Sequence, residues 1–306
     1  MNKPDVSIIC LTYNHRPFIR EAIDSFLSQV TSYTYEIIVC DDASPDKTGS
    51  YVSEIYRDVK SVRLFSHESN LGVLRNLIFG FKKARGRYIM LCEGDDFWVS
   101  SKKIQTHLDF LEKNLEYFGA YSSALVIDES GNNIKKIPLE RKSFRKIGDF
   151  LRTSYTIPTC TVTFRNEFKG NIFRFRHLLK STNYIVDYLI DSVICLHGEY
   201  KFINHTLGCY RVTKNTDSFS SQSIQDMEVE MIGTRKKLAD FLDNKFHLSL
   251  LVSEAFVYFS IIVKYNKISR ISAIKRFLRL SMLYKCGVIL VFLRYLYLFL
   301  KGSINK

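Results

Sequence analysis

The sequence predicts an α/β fold, with a mixed, mostly parallel sheet flanked by helices and a helical C-terminal extension. Three observations predict it. Short apolar runs rich in β-branched residues alternate with helical patterns through the first hundred residues. That rhythm belongs to a parallel sheet covered on both faces. From residue 223 onward the pattern is helical.

Residues 6–12 form a short apolar run and read as a buried strand. Pro17 suits the first turn of a helix whose apolar face carries Phe18, Ala22 and Phe26. Residues 36–40 read as a second strand, followed by turn and cap residues over 41–48. Residues 62–65 give a third strand, and Leu74, Leu77, Ile78 and Phe81 line the next helix. Residues 87–92 give a fourth. The middle is less regular, with strands expected at 120–127, 160–164 and 200–212, in an order closer to antiparallel. Around 267–285, Ile268, Ile271, Ile274, Leu278 and Met282 recur at helical spacing beside Lys267, Arg270, Lys275, Arg276 and Arg279.

The chain has 306 residues, 46% hydrophobic and 25% charged, which excludes a largely disordered chain. Its net charge of +13 is uneven, because the last fifth holds ten Lys/Arg and a single acidic residue, Glu254. The seven cysteines are scattered without a Cys-x-x-Cys pair, so neither a zinc site nor a disulfide framework is expected. A reducing, cytoplasmic setting fits. No secretory leader is expected at residues 6–13, and the apolar stretch 286–300 is too short to span and is broken by Arg294.

In an open parallel sheet, ligands bind outside the carboxyl ends of the strands. Here those ends read Thr12-Tyr13-Asn14, then Asp41-Asp42, then Glu93-Gly94-Asp95-Asp96-Phe97-Trp98. An isolated acidic loop is commonly just solvated. Two acidic strand ends on one sheet edge repel unless a positive group neutralises them. A divalent cation that also binds phosphate oxygens, Mg²⁺ or Mn²⁺, meets that need.

Four segments in order, Val6-Ser-Ile-Ile-Cys-Leu-Thr-Tyr-Asn14, Val39-Cys-Asp-Asp-Ala-Ser-Pro-Asp46, Asn70-Leu-Gly-Val-Leu-Arg-Asn76 and Glu93-Gly-Asp-Asp-Phe-Trp98, resemble the signatures of family 2 glycosyltransferases. Weaker resemblance continues through residues 159–165, Val186-Asp187-Tyr188-Leu189 and residues 210–220. The resemblance implies a GT-A, Rossmann-like catalytic domain over 1–220, with a nucleotide-sugar half to about residue 100 and an acceptor half over 101–220. Residues 221–306, the basic amphipathic region, lie outside it. It also implies inverting, metal-dependent transfer of a sugar from a nucleoside-diphosphate sugar, a UDP-sugar by preference, to a glycan hydroxyl.

By this resemblance, Thr12, Tyr13, Asn14, Asp41, Asp42, Arg75 and Gly94 contact the nucleotide. Asp95 and Glu93 hold Mn²⁺ or Mg²⁺. Asp96, Trp98 and Arg211 lie near donor and acceptor, Trp98 either stacking on a sugar or packing beneath the motif. Asp187 is the general base, with Asp191, one helical turn on, as second choice; the structural alternative for Asp187 is a helix carboxylate paired with Lys180. Thr213 stands where many relatives have His, which makes His205 and Arg211 candidates for the remaining contacts.

The tail, with Tyr284, Tyr295 and Tyr297 among apolar residues, fits an interfacial membrane anchor. The other reading is a helical subdomain on the catalytic domain or on a second subunit of a homo-oligomer. An anchor suits a lipid-linked acceptor on the cytoplasmic face of the plasma membrane, in surface-polysaccharide synthesis. Competing classes fit less well. A nucleotidyltransferase needs a Gly-rich loop after the first strand, where this chain has Leu11-Thr-Tyr-Asn-His-Arg16. A processive synthase needs a Gln-x-x-Arg-Trp motif, and the single Trp is Trp98. A dinucleotide enzyme needs its glycine fingerprint. A nucleic-acid binder needs base-reading motifs beside its charge. A non-catalytic nucleotide-sugar-binding relative fits the same residues.

Overall fold

Strand β1, Val6–Thr12, is the axis of the sheet, and all seven of its residues are buried. A strand with both faces covered carries apolar residues almost continuously, as this one does. The computed structural model describes residues 3–137, 144–145, 157–167 and 186–213, all within one compact unit. The basic tail and much of the expected acceptor half lie outside the described residues.

β1 pairs in parallel with β2, Tyr35–Asp41, and with β4, Tyr88–Leu91, while β3, Val62–Ser66, extends the parallel set beyond β2. The order β3-β2-β1-β4 changes direction between β1 and β4, and such a switch point opens a crevice at the carboxyl ends of the strands. Thr12 is the register partner of Asp41, so the β1 and β2 ends are level at that crevice.

Beyond β4 the sheet becomes mixed. β9, Thr163–Arg165, runs antiparallel to both β4 and β6, Tyr117–Asp128. β10, Glu199–Val212, pairs with β6 over most of its length, in parallel. The antiparallel order expected for the middle therefore holds for β9 and for β7, Asn133–Ile137, but not for this longest pairing. β8, Phe144–Arg145, and β5, Phe97–Trp98, are short antiparallel partners of β10. The expected strand at 160–164 begins instead as a single 3₁₀ turn, Thr159–Thr161, ahead of β9.

Five helices are described. α1, Ile19–Leu27, buries Ile19, Ala22, Ile23 and Phe26, the i, i+3, i+4, i+7 face of an amphipathic helix. α2, Thr48–Ile55, starts after Asp46, whose Oδ1 accepts the Thr48 N–H at 3.0 Å and its hydroxyl at 2.5 Å. α3, Val73–Lys83, packs on β1 and β2. Gly80 permits that approach, since a Cβ there would meet Ile9 Cγ2 at 2.6 Å. α4, Lys103–Lys113, packs on β6, and α5, Val186–Cys195, precedes β10. The six cysteines among the described residues are buried and form no disulfide. No described helix is long and apolar enough to cross a membrane.

The sheet edge away from the crevice is closed by Glu36. Its Oε1 accepts the Ser7 hydroxyl at 2.6 Å and the Arg85 N–H at 2.8 Å, and its Oε2 accepts Arg63 at 2.6 Å and Arg85 Nε at 3.0 Å. One carboxylate thus ties β1, β2, β3 and the α3–β4 connection. Burial alone would raise its pKa, but the Ser7, Arg85 and Arg63 hydrogen bonds hold it below the ordinary 4.5. A depressed carboxylate contributes stability above its unfolded pKa and loses it as pH falls through the folded value. Glu36→Gln is therefore expected to cost about 2–3 kcal/mol at pH 7, part of each arginine being solvent-screened. In urea unfolding followed by circular dichroism, the difference from wild type should shrink as pH falls below the ordinary carboxylate range. A pH-independent difference would remove this reading.

Candidate active site

At the crevice, Thr12 O accepts the Asp42 N–H at 3.0 Å, and Ser44 Oγ accepts the Asn14 N–H at 3.1 Å. These bonds join the loops after β1 and β2. Asn14 and Ala43 both adopt φ of 58°. Asn tolerates this left-handed region; Ala does so at a cost of about 1 kcal/mol, a local strain of the kind found at ligand loops. Asp41 is buried and its Oδ1 accepts the Ser44 hydroxyl. Burial is the main cause of its raised pKa. The side-chain oxygens of Thr12 and Asn14 are buried without protein partners. Tyr13 lies between them, half-buried.

Asp42 is also buried, but both its oxygens are engaged. They accept the N–H groups of Leu71, at 2.8 Å, and Gly72, at 2.9 Å. Asp42 thereby fixes the turn that starts α3. Arg75 stands exposed in the first turn of that helix.

The acidic loop runs from β4 to β5. Gly94 lies so close to the first loop that a Cβ would meet Thr12 Oγ1 at 2.9 Å and Ile19 Cδ1 at 2.8 Å. Glu93 Oε2 accepts the Thr159 hydroxyl at 2.5 Å. Burial and then the Asp187 charge push the Glu93 pKa up to about 8, and burial pushes Asp187 up to about 6. With Thr159, these two carboxyls form the polar wall of a small pocket whose apolar wall includes Leu11, Val73, Leu77 and Ile190. Two adjacent carboxyls do not ionise independently, and the pair holds one proton more readily than none. Asp191, one turn further along α5, is buried, and its Oδ2 accepts the Ile157 N–H at 3.0 Å.

Asp95 is half-buried, with His15 Nε2 3.7 Å from its Oδ2. Asp96 is buried, and its Oδ1 accepts the Arg211 N–H at 2.8 Å. Burial, then Asp95 and Glu93, raise its pKa well above the ordinary value. The Arg211 side chain donates from Nε to the Asp95 carbonyl at 3.0 Å and from its terminal nitrogen to Glu21 Oε2 at 2.5 Å. Its guanidinium lies 4.6 Å from the Phe18 ring centre and 5.6 Å from that of Phe97. Arg211 therefore ties the acidic loop to α1. Trp98 is buried against Phe26, with Lys103 Nζ 4.1 Å from its ring centre. Lys103 Nζ donates to Cys160 O at 2.8 Å and so fixes the turn that carries Thr159. Burial lowers the Lys103 pKa to about 8. His205 is exposed midway along β10.

Glu93, Asp187 and Thr159 thus share one pocket, Asp95 and Asp96 are anchored beside it, and Gly94 joins them to the Thr12 loop. Lys180 lies outside the described residues. His15, Thr159, Glu21 and Ser44 were not expected at the site. His15 directly follows the Thr-Tyr-Asn motif, and Thr159 opens a segment of the family resemblance, so each had a sequence signal. Glu21 had none, being one exposed position of an amphipathic helix. Among the described residues, no three His, Cys, Asp or Glu side chains form a metal centre. Asp95 beside His15 is instead a partial donor set. It suits a divalent cation that completes its shell with ligand oxygens and water.

The family model described as glycosyl transferase family 2 matches residues 7–169, more than half of the chain. An uncharacterized Mycobacterium tuberculosis protein is 34% identical over 134 residues, 44% of this chain and 39% of that protein. An uncharacterized glycosyltransferase of Methanocaldococcus jannaschii is 26% identical over 225 residues, 72% of this chain and 75% of the relative. The chain thus spans about two fifths of the mycobacterial relative's length and three quarters of the archaeal one's. Among solved structures, S. aureus TarS 1–349 in complex with UDP has a TM-score of 0.58 at 17% identity, covering 92% of each chain. The same protein with UDP-GlcNAc gives 0.55 at 15%, again covering 92% of each chain. At these identities the likeness is one of fold, GT-A, with its mixed, mostly parallel sheet.

Asp42→Ala leaves two backbone N–H groups without their charged acceptor. The expected cost is about 2–3 kcal/mol, with faster amide exchange at Leu71 and Gly72 in hydrogen–deuterium exchange. Unchanged exchange there would show that Asp42 does not hold this turn.

Proposed function

This chain belongs to glycosyl transferase family 2, and we propose that it transfers a sugar, with inversion, from a nucleoside-diphosphate donor to a hydroxyl of a glycan acceptor. UDP is the nucleotide of choice. The observation that carries this reading is the Glu93–Asp187 carboxyl pair lining one pocket beside Asp95 at the β1/β4 switch point.

The loops around Thr12–Asn14 and Asp41 receive the nucleotide, their unpartnered oxygens serving as acceptors for base and ribose. Asp95 faces the diphosphate. A divalent cation, Mn²⁺ or Mg²⁺, when held there supplies positive charge against the negative charge that gathers on the leaving diphosphate. Asp187 accepts the acceptor hydroxyl's proton. The acceptor oxygen bonds to the anomeric carbon as the bond to the diphosphate breaks, and the diphosphate leaves with the electron pair. A base with a pKa of about 6 is ionised at neutral pH yet still basic enough to take that proton. Glu93, higher at about 8, carries the proton of the pair and spares Asp187 a second adjacent negative charge. Asp191 orients the Ile157 segment and leaves the proton transfer to Asp187.

The acceptor is lipid-linked in this reading, and the basic tail beyond residue 250 brings the enzyme to an anionic leaflet, each Lys or Arg contributing about 1 kcal/mol. Liposome flotation should carry the full chain upward and leave a 1–250 truncation in solution; equal partitioning would remove the membrane claim.

The central test is donor turnover, read as nucleoside-diphosphate release from a panel of nucleotide sugars with Mn²⁺ or Mg²⁺. Asp187→Asn should show the same thermal shift with UDP as wild type and release diphosphate at least about 10²-fold more slowly. Undiminished release would refute Asp187 as base. Binding by wild type without any turnover would instead indicate a non-catalytic nucleotide-sugar binder.

A further inference from the structure

We propose that His15 is a ligand of the divalent cation held at Asp95. This rests on reading the Asp95 edge as the cation site of the proposed transferase. His15 Nε2 and Asp95 Oδ2 are 3.7 Å apart, with the two side chains 22% and 18% exposed, so both line the cleft without standing free in solvent. That separation exceeds a hydrogen bond. It is close to the spacing of two donors on one ion, since adjacent ligands at about 2.1 Å in an octahedral shell lie roughly 3 Å apart. A side-chain shift below about 1 Å closes the difference.

The ring is free to make that shift. Nδ1 is buried without a protein partner, so no second hydrogen bond fixes the imidazole. The backbone is fixed, because His15 O accepts the N–H groups of Phe18 at 2.9 Å and Ile19 at 2.8 Å at the head of α1. The opposite side of the loop is fixed too, by the Arg211 bond to the Asp95 carbonyl. Two rigid supports thus present one imidazole and one carboxylate to a common point. Glu93, engaged by Thr159, faces the Asp187 pocket instead.

Mg²⁺ prefers oxygen ligands and retains its waters, whereas an imidazole nitrogen favours a first-row transition ion. An alternative role for His15 is to shield Asp95 by partial charge pairing. The two roles differ in sign: removing a ligand weakens cation binding, and removing a shield leaves it equal or tighter.

The test uses the metal-free full chain, with Mn²⁺ titrated in alone and then with UDP, free Mn²⁺ being read by electron paramagnetic resonance. His15→Ala should bind Mn²⁺ at least about tenfold more weakly, while metal-free unfolding is unchanged. His15→Gln, which keeps a polar side chain without the imidazole, should behave alike and serves if the alanine variant misfolds. Equal or tighter Mn²⁺ binding by the variants overturns the proposal, as does wild-type protein that binds no Mn²⁺ in either condition. Wild-type Mn²⁺ binding that depends on His15, with no turnover of any nucleotide sugar, supports the ligand assignment and overturns the transferase reading.

Discussion

The acidic loop of the site is anchored by one residue of a distant strand. Glu93, Asp95 and Asp96 crowd three carboxyls into four residues, and burial with mutual repulsion pushes Glu93 and Asp96 toward their protonated forms; the backbone that carries them still has to be held in place. Arg211 holds it from a strand 115 residues further along. Its backbone N–H serves Asp96, its Nε serves the Asp95 carbonyl, and its outer nitrogen meets Glu21 on α1. The fork of the guanidinium suits the two side-chain bonds, to the Asp95 carbonyl and to Glu21, since its donors lie in a fixed plane, while a lysine would supply only a point charge. The pairing of β5 with β10, Gly208 against Trp98 and Cys209 against Phe97, brings Arg211 to the loop.

Hydrogen bonding separates carboxylates of the same type into different jobs. Both oxygens of Asp42 accept backbone N–H groups, and Asp191 accepts the Ile157 N–H, so each holds a backbone segment. Asp96 is buried on the Arg211 backbone. Asp95 and Asp187 remain half-buried at the cleft. Sequence proximity does not predict the division, because Asp95 and Asp96 are neighbours and fall on opposite sides of it.

The first four strands were legible because each is a short apolar run bounded by turn residues, and β1 matches its expected limits, 6–12, residue for residue. α4 was overlooked although Ile104, Leu108 and Leu111 mark its buried face. Lys103 and His107 share that face, and buried polar residues there obscure the apolar stripe. β5 and β8, two residues each, exist only through pairing with β10 and have no pattern of their own. The parallel β6–β10 pairing joins segments some 80 residues apart, and nothing local encodes its direction. At the site, Asp41, Asp42, Glu93, Asp95 and Asp187 were legible as acidic residues at strand ends or in family motifs. The roles of Thr159 and Glu21 depend on tertiary contacts with Glu93 and Arg211, and a spacing rule carries no such information.

The placement of Trp98 has a practical consequence. As the single tryptophan of the chain, it sits two residues past Asp96, with its ring against Phe26 of α1 and Lys103 Nζ and its backbone paired to β10. A change in the loop that reaches Trp98 alters the surroundings of the indole. The molecule therefore carries its own optical reporter next to the acidic loop, readable in unlabelled protein through its emission.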